Sequence, residues 1–203
     1  MSVLTVDPVR SSIERLEFAL DNFEPHPGLR YLLRLRVLAS EYAHRISGGQ
    51  VPVRAASEAA TYLAALENGE ELRLSTIGIE QLQGLHGHTS GTLTPTPLRI
   101  TSVAMRPNAP HARLRLTGAT PPKVASRLTD LVEEIVRNPT LRRFEKIALA
   151  HFELLRTHPF TDGNGRASRA LLTILLKNEY ASRLTLGITK LMHAWFSPKV
   201  HAA

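Results

Sequence analysis

Two glycines, Gly163 and Gly165, lie between two stretches of sequence in which apolar residues recur every three to four positions. This spacing predicts an amphipathic helix on each side, so the glycines belong to a turn between helices. No strand-like run precedes Gly163, and the strand–turn–helix context of a Rossmann dinucleotide site is therefore missing. The pattern favours a helical body over an open α/β sheet.

Helical periodicity extends over most of the remaining chain. It predicts helices at about 11–22, 28–47, 55–66, 75–85, 122–137, 140–157, 165–179 and 186–196. The section 87–122 differs, because it is rich in Gly, Thr and Pro and contains two strand-like runs, 99–105 and 112–116, separated by the turn-forming sequence RPNAP. We therefore predict an all-α domain that bears a small β-hairpin.

The net charge of +7 is distributed unevenly: residues 1–100 have a net charge of −2 and residues 101–203 of +9. A polyanionic ligand is therefore expected on the C-terminal half. The absence of cysteine excludes disulfides, thiolate zinc sites and cysteine nucleophiles. No apolar run approaches the roughly 20 residues of a membrane span, and the N-terminus has no apolar signal-peptide core. We expect a soluble, cytoplasmic protein without a membrane partner.

The stretch at 158–169, HPFTDGNGRASR, combines several groups that bind phosphate. Gly163 and Gly165 allow backbone N–H groups to turn inward just before a helix N-terminus, which is an arrangement that binds anions. Arg166 and Arg169 are three positions apart on the first turn of that helix, so both guanidinium groups point the same way. Together they suit a β- or γ-phosphate.

Three further side chains of this stretch supply chemistry. Asp162 offers the hard oxygen ligand that a phosphate-bound Mg²⁺ prefers, and Asn164 can point its amide at a phosphate oxygen. His158 can accept a proton from an attacking hydroxyl at neutral pH. Phe160 is interpreted as a structural residue that anchors the loop to the core. This set of groups is typical of phosphoryl or nucleotidyl transfer.

The same stretch resembles the signature of the Fic family, H-P-F-x-[D/E]-G-N-G-R-x-x-R, at every defined position. Residues 147–158 resemble the helix that precedes the signature, and 99–105 with 112–116 resemble the family's flap hairpin. The resemblance implies a Fic-type helical bundle, with a catalytic core at 75–203, a flap at about 99–117 and an N-terminal helical extension at 1–74.

The resemblance further implies transfer of AMP from ATP to a Ser, Thr or Tyr hydroxyl of a target protein, with Mg²⁺ required. His158 would be the general base and Asp162 the metal ligand. The nucleotide would be bound by Gly163, Asn164 and Gly165 at the α- and β-phosphates, by Arg166 at the β/γ-phosphates and by Arg169 at the γ-phosphate. The flap would align the target segment by main-chain pairing through Ile100, Thr101, Ser102 and Val103. The kinase-like Doc branch has Lys at the position of Gly165, so the glycine in this chain favours adenylyl transfer over phosphoryl transfer.

A sequence before the core resembles the family's inhibitory helix, whose pattern is [S/T]-x-x-x-E-[G/N]. Glu67 and Asn68 match this pattern, but Leu63 stands where Ser or Thr is expected. Our hypothesis is a weakened inhibitory helix at about 55–68, with Glu67 facing Arg169. The alternative is a solvated carboxylate at a helix end.

Several alternatives stay open at this stage. They are transfer of another nucleotide such as UMP, removal of AMP from a modified target, and a catalytically silent binding module. A separate antitoxin is a compatible partner, whereas nucleic acid is not expected. His151 is interpreted as a core histidine rather than a metal ligand paired with His158, and His86 and His88 as solvated loop residues.

Overall fold

The computed structural model describes residues 14–15, 17–18, 53–105 and 116–180. The α-helices in these ranges beyond residue 50 are α1 (Val53–Asn68), α2 (Ile79–Ser90), α3 (Pro121–Asp130), α4 (Arg143–Thr157) and α5 (Asn164–Tyr180). A 3₁₀ turn, Gly69–Glu71, follows α1, and a π-helical segment, Leu131–Val136, continues α3. The predicted all-α class is confirmed. The helices expected at 28–47 and 186–196, and most of the helix at 11–22, lie outside the described residues.

Helix α5 is the centre of the fold. Its residues Leu171, Leu172, Ile174, Leu175 and Leu176 are all at most 1% exposed, as in a helix that other elements cover on every side. Helix α4 packs along α5, and α1 and α2 cover other faces of it. Because α5 is packed on several sides, we expect the backbone of its first turns to be well fixed, and with it the positions of their side chains.

Helix α2 begins and ends later than the predicted 75–85. Its start is delayed because the Thr76 hydroxyl accepts the Arg73 N–H at 3.0 Å, which makes residues 73–76 a turn. Its end is set by Gly91 in the left-handed conformation, with φ 79°. The helix runs through Gly87, where a Cβ would lie only 1.9 Å from the Thr94 carbonyl oxygen. That glycine is a packing residue rather than a helix terminator.

Two other helix boundaries differ from the prediction. The helix expected at 122–137 changes to π geometry after Asp130, and the Arg137 N–H bonds to the Val132 oxygen at 2.9 Å. Helix α4 begins at Arg143 rather than at 140. The reason is that the Asn138 side-chain oxygen accepts the Thr140 N–H at 2.9 Å, which forms a side-chain-closed turn before the helix.

The predicted hairpin is represented by a short antiparallel ladder. Strand β1 (Ala104–Met105) pairs with strand β2 (Leu116–Thr117), with Ala104 opposite Thr117. Residues 106–115, which include most of the second predicted strand, lie outside the described residues. The prediction of a strand over all of 99–105 is wrong, because residues 99–103 do not belong to the ladder. Arg99, the first of these residues, instead bonds through its N–H to the Pro159 oxygen at 2.9 Å, just beyond the end of α4.

Candidate active site

The turn between α4 and α5 begins at His158, which ends α4 in a left-handed conformation with φ 52° and ψ 58°. This conformation costs a non-glycine residue roughly 1–2 kcal/mol, so the surrounding contacts must stabilise it. One such contact is the bond from the His158 N–H to the Leu154 oxygen at 3.1 Å. The imidazole therefore leaves the helix in a defined direction.

The ring of His158 is half-buried, and its Nδ1 lies 3.4 Å from the Leu155 carbonyl oxygen, which can only accept a hydrogen bond. In the neutral tautomer with the proton on Nδ1, this contact would be a long hydrogen bond and Nε2 would carry the lone pair. That is the form that a general base requires, and the role of His158 as a base stays a prediction.

Asn164 closes the turn into a ring. Its side-chain oxygen accepts the Phe160 N–H at 2.8 Å, and its Nδ2 donates to the Phe160 oxygen at 2.7 Å. Asn164 is only 2% exposed, and Phe160 is fully buried, as expected for an anchoring ring. The expectation that the Asn164 amide points at a phosphate is therefore wrong in this structure, because both of its polar groups bind the backbone of the turn. If Asn164 binds a phosphate, it would have to do so through its backbone N–H.

His86 is a second support of the turn that sequence reasoning missed. It is 5% exposed, not solvated, and its ring stacks on Phe160 with centroids 3.9 Å apart. The Nε2–H donates to the Asp162 carbonyl oxygen at 2.7 Å. Burial lowers the pKa of His86, and this favours the neutral ring. His86 therefore orients the backbone at Asp162.

A side chain would be strained at Gly163 and crowded at Gly165. Gly163 has φ 77°, and a Cβ there would lie 2.9 Å from Nε2 of His86 and 3.3 Å from Nη2 of Arg166. A Cβ at Gly165 would lie 3.0 Å from Nη1 of Arg169. Each guanidinium group thus lies against one glycine at the N-terminus of α5. The structure brings the two arginine side chains together with both glycines at the positive end of the helix dipole. The anion-binding role that the sequence predicts for this turn stays a prediction.

A cavity of about 740 Å³ opens beside this turn. It is lined by Asp162 and Arg166, by the end of α2 and by residues 96–101. Its volume falls within the roughly 300–1,000 Å³ of small-molecule sites. No group of three or more His, Cys, Asp or Glu side chains that could hold a metal occurs among the described residues.

Asp162 fits a metal that is bound mainly by phosphate. Its carboxylate is exposed at the cavity, and Oδ1 accepts the Gly163 N–H at 2.7 Å. Mg²⁺ binds proteins through one or two carboxylates and takes its other ligands from phosphates and water. One hard oxygen ligand beside an anion-binding turn is therefore a suitable donor set for this ion.

The remaining predicted site residues are four residues of the flap and Glu67. Ile100 is 89% exposed, Thr101 lines the cavity, Ser102 is exposed and Val103 is half-buried. Glu67 is exposed near the C-terminal end of α1. None of these positions contradicts the roles that were expected of them, and those roles stay predictions.

His151 is a core residue, as interpreted from the sequence. It is 0% exposed, and its Nδ1 lies 2.7 Å from the Ser168 hydroxyl and 3.0 Å from the Ser168 carbonyl oxygen. Because Ser168 precedes Arg169, His151 links α4 to the helix turn that presents the two arginines. Burial lowers the pKa of His151 to about 4.

This lowered pKa predicts acid sensitivity of the fold. The unfolded chain binds a proton near the ordinary pKa of about 6.5, whereas the folded protein holds His151 neutral. The stabilisation is complete above pH 6.5 and declines as the pH falls towards 4, with about 2 kcal/mol lost by pH 5. Urea unfolding at pH 7 and pH 5 should show this loss in the wild type and a smaller one in His151→Gln. Equal losses in both proteins would contradict it.

In the part of the chain that the structure describes, no helix combines the length and the apolar character needed to cross a bilayer.

A model of the Fic/DOC family matches residues 76–176. The chain is 32% identical over 105 residues to the protein adenylyltransferase fic-1 of Caenorhabditis elegans, which is 49% of this chain but 19% of that protein. It is 54% identical over 37 residues to the protein adenylyltransferase Fic of Drosophila melanogaster, which is 18% of this chain and 8% of that protein.

Solved structures agree at the level of the fold. A Fic family protein from Desulfovibrio desulfuricans superposes with a TM-score of 0.72 at 17% identity, covering 97% of this chain and 67% of that chain. Fic-1 of C. elegans superposes with a TM-score of 0.55 at 20% identity, covering 96% of this chain and 73% of that chain. The signature turn, the bundle around α5 and the family match coincide, so the chain contains a Fic/DOC domain at residues 76–176 and belongs through it to the Fic/DOC family.

Proposed function

We propose that this protein transfers AMP from ATP to a hydroxyl group of a target protein. The observation that supports this most directly is the position of His158 at the start of the turn whose glycines lie against the guanidinium groups of Arg166 and Arg169. Two relatives over parts of this chain are named protein adenylyltransferases. A silent binding module would need neither a base nor the exposed Asp162 carboxylate.

In this mechanism the chain's own residues handle the proton and the phosphate charge. His158 accepts the proton of the attacking hydroxyl at Nε2, while the hydroxyl oxygen bonds to the α-phosphorus. The bond from that phosphorus to the bridging oxygen breaks, and pyrophosphate leaves with the electron pair. Arg166 and Arg169 stabilise the negative charge on the leaving phosphates. Mg²⁺, held by Asp162 and the phosphates, would neutralise further phosphate charge.

The geometry around Gly165 supports AMP transfer over Doc-type phosphoryl transfer. The family's kinase-like branch carries Lys at this position. In this chain a Cβ there would lie 3.0 Å from Nη1 of Arg169, so a side chain at this position would shift that guanidinium by a few tenths of an ångström. A glycine here keeps Arg169 against the turn, where it can bind the terminal phosphate.

The test is transfer of radioactive label to proteins of a host lysate. Relative to the His158→Ala control, which gives the background of the lysate's own enzymes, we expect added label from α-³²P ATP and none from γ-³²P ATP. AMP retains the α-phosphorus, and pyrophosphate removes the γ-phosphorus. α-Labelled UTP, GTP and CTP, used in parallel, distinguish AMP transfer from transfer of another nucleotide. Label from γ-³²P ATP alone would identify a kinase, and no label from any nucleotide would reject nucleotidyl transfer.

We further propose that Glu67 restrains this activity by pairing with Arg169, which removes the cation that would orient the γ-phosphate. The support is the attachment of the end of α1 to α5. A Cβ on Gly69 would contact the Ile174 side chain, and Nδ2 of Asn178 donates to the Gly69 oxygen at 2.9 Å. Glu67 therefore lies two residues before a segment that is attached to the second half of α5, and Arg169 lies in the first half of the same helix.

Glu67→Gly is expected to raise automodification with ATP. An exposed ion pair contributes up to about 1 kcal/mol, which corresponds to an increase of about twofold to fivefold. The measurement is the initial rate of α-³²P incorporation into the protein itself. Glu67→Gln separates loss of charge from loss of helix propensity, and Glu80→Gln controls for removal of an exposed carboxylate elsewhere. Unchanged rates in both Glu67 variants would reject the restraint.

A further inference from the structure

Arg99 is a buried cation that the proposed mechanism does not use. It is 4% exposed, and its guanidinium donates to four backbone oxygens. Nε donates to His158 at 2.6 Å, Nη1 to Thr101 at 2.7 Å, and Nη2 to Ala119 and, at 3.3 Å, to Thr157. One side chain therefore connects three segments that are distant in sequence.

These segments are the two stems of the hairpin and the end of α4. Backbone bonds reinforce the connection, since the Ala119 N–H donates to the Thr157 oxygen at 3.1 Å and the Arg99 N–H to the Pro159 oxygen at 2.9 Å. Gly118 completes the contact, because a Cβ there would lie 2.7 Å from Cβ of His158 and 2.9 Å from Nη2 of Arg99. The hairpin stems are thus packed directly on His158.

The charge of Arg99 has a local counterpart in the end of helix α4. Helix C-termini present carbonyl oxygens without intrahelical donors and a partial negative charge. The oxygens of Thr157 and His158 are two of these, and Arg99 donates to both. No ion pair between Arg99 and a carboxylate is found among the described residues. The side chain is therefore placed to cap α4 rather than to form a salt bridge.

We propose that Arg99 is a positioning residue for His158, because it holds the carbonyl of that residue and so fixes its left-handed backbone and the direction of its ring. This inference rests on the proposed function for its kinetic consequence. It adds that the hairpin stems and the base are a single unit joined through the guanidinium. The anion-binding part of the turn, from Gly163 onwards, has no hydrogen bond to Arg99.

The test compares Arg99→Met and Arg99→Lys with the control Arg137→Met, which removes an exposed arginine that pairs with Glu133. Misplacement of a catalytic group by about 1 Å lowers rates by roughly 10²-fold, so kcat should fall by about 10- to 100-fold in Arg99→Met. The Kd of a non-hydrolysable ATP analogue should stay within about twofold, since the phosphate-binding groups are untouched. Arg99→Lys, which keeps the charge and one donor nitrogen, should recover part of kcat.

A second measurement follows the ring of His158 directly, through its Cε1–Hε1 signal in ¹H–¹³C spectra. We expect this signal to shift in Arg99→Met and to stay in place in Arg137→Met. An unchanged kcat and ring signal would overturn the proposal, as would a parallel loss of kcat and nucleotide affinity. If Arg99→Met does not fold, kcat, the Kd of the ATP analogue and the ring signal are measured in Arg99→Lys, and they support or overturn the proposal by the same criteria. If the wild type transfers no nucleotide, the proposed function fails, and the ring signal alone supports or overturns the positioning role.

Discussion

Replacement of His158 by asparagine is expected to slow nucleotidyl transfer by about 10²- to 10⁴-fold, the usual contribution of a general base. Asparagine is the informative substitution because it tolerates the left-handed backbone, with φ 52°, better than most residues do. It therefore removes the imidazole with little change in the turn. The measurement is kcat for incorporation of α-³²P from ATP into a target protein.

Binding of the nucleotide should survive this substitution, because Arg166, Arg169 and the N-terminus of α5 are unaltered. We expect the Kd of a non-hydrolysable ATP analogue to change by less than about twofold. His88→Asn is the matched control. The interpretation of His88 as a solvated loop residue is wrong, because it is a half-buried residue of α2 that lines a separate cavity between α1 and α2. A His158→Asn protein that retained full activity would refute the assignment of the base.

Replacement of Phe160 by alanine is expected to lower the free energy of unfolding by about 3–5 kcal/mol, as for other fully buried aromatic side chains. The substitution removes the ring that stacks on His86 and leaves a cavity beneath the turn. Urea unfolding at pH 7 measures the loss. Phe160→Leu should cost less, because most of the buried volume is kept.

Phe18→Ala is the control for Phe160, because Phe18 is 71% exposed. An exposed position should change the free energy of unfolding by no more than about 0.5 kcal/mol. If Phe160→Ala cost about as little as Phe18→Ala, the ring would not anchor the turn. The role of His86 as its stacking partner would then also be wrong.

The helices and the signature turn could be predicted because their signals are local. Apolar spacing located the segments that became α3, α4 and α5, and the glycines before the helix expected at 165–179 indicated an anion-binding turn. The helix boundaries were less predictable. They depended on side-chain-closed turns at Asn138 and Thr76 and on a left-handed residue at Gly91, each of which competes with helix propensity.

The supports of the turn could not be predicted in the same way, because they come from remote parts of the chain. Arg99 binds an oxygen 59 positions away, and His86 binds one 76 positions away. A signal for His86 was nevertheless present, since Leu82, Leu85, His86 and Thr89 share the buried face of α2. Arg99 had no such signal, because an arginine before an apolar residue in an extended segment suggests only a strand.

The closed ring between Asn164 and Phe160 has a consequence for how a nucleotide would meet this protein. Both halves of the amide are already engaged with the main chain before any ligand arrives, so the turn is rigid in advance. A triphosphate would therefore bind to a preorganised turn, and the protein would lose little conformational entropy on binding. Most of the ordering on encounter would then fall on the nucleotide and on the incoming polypeptide.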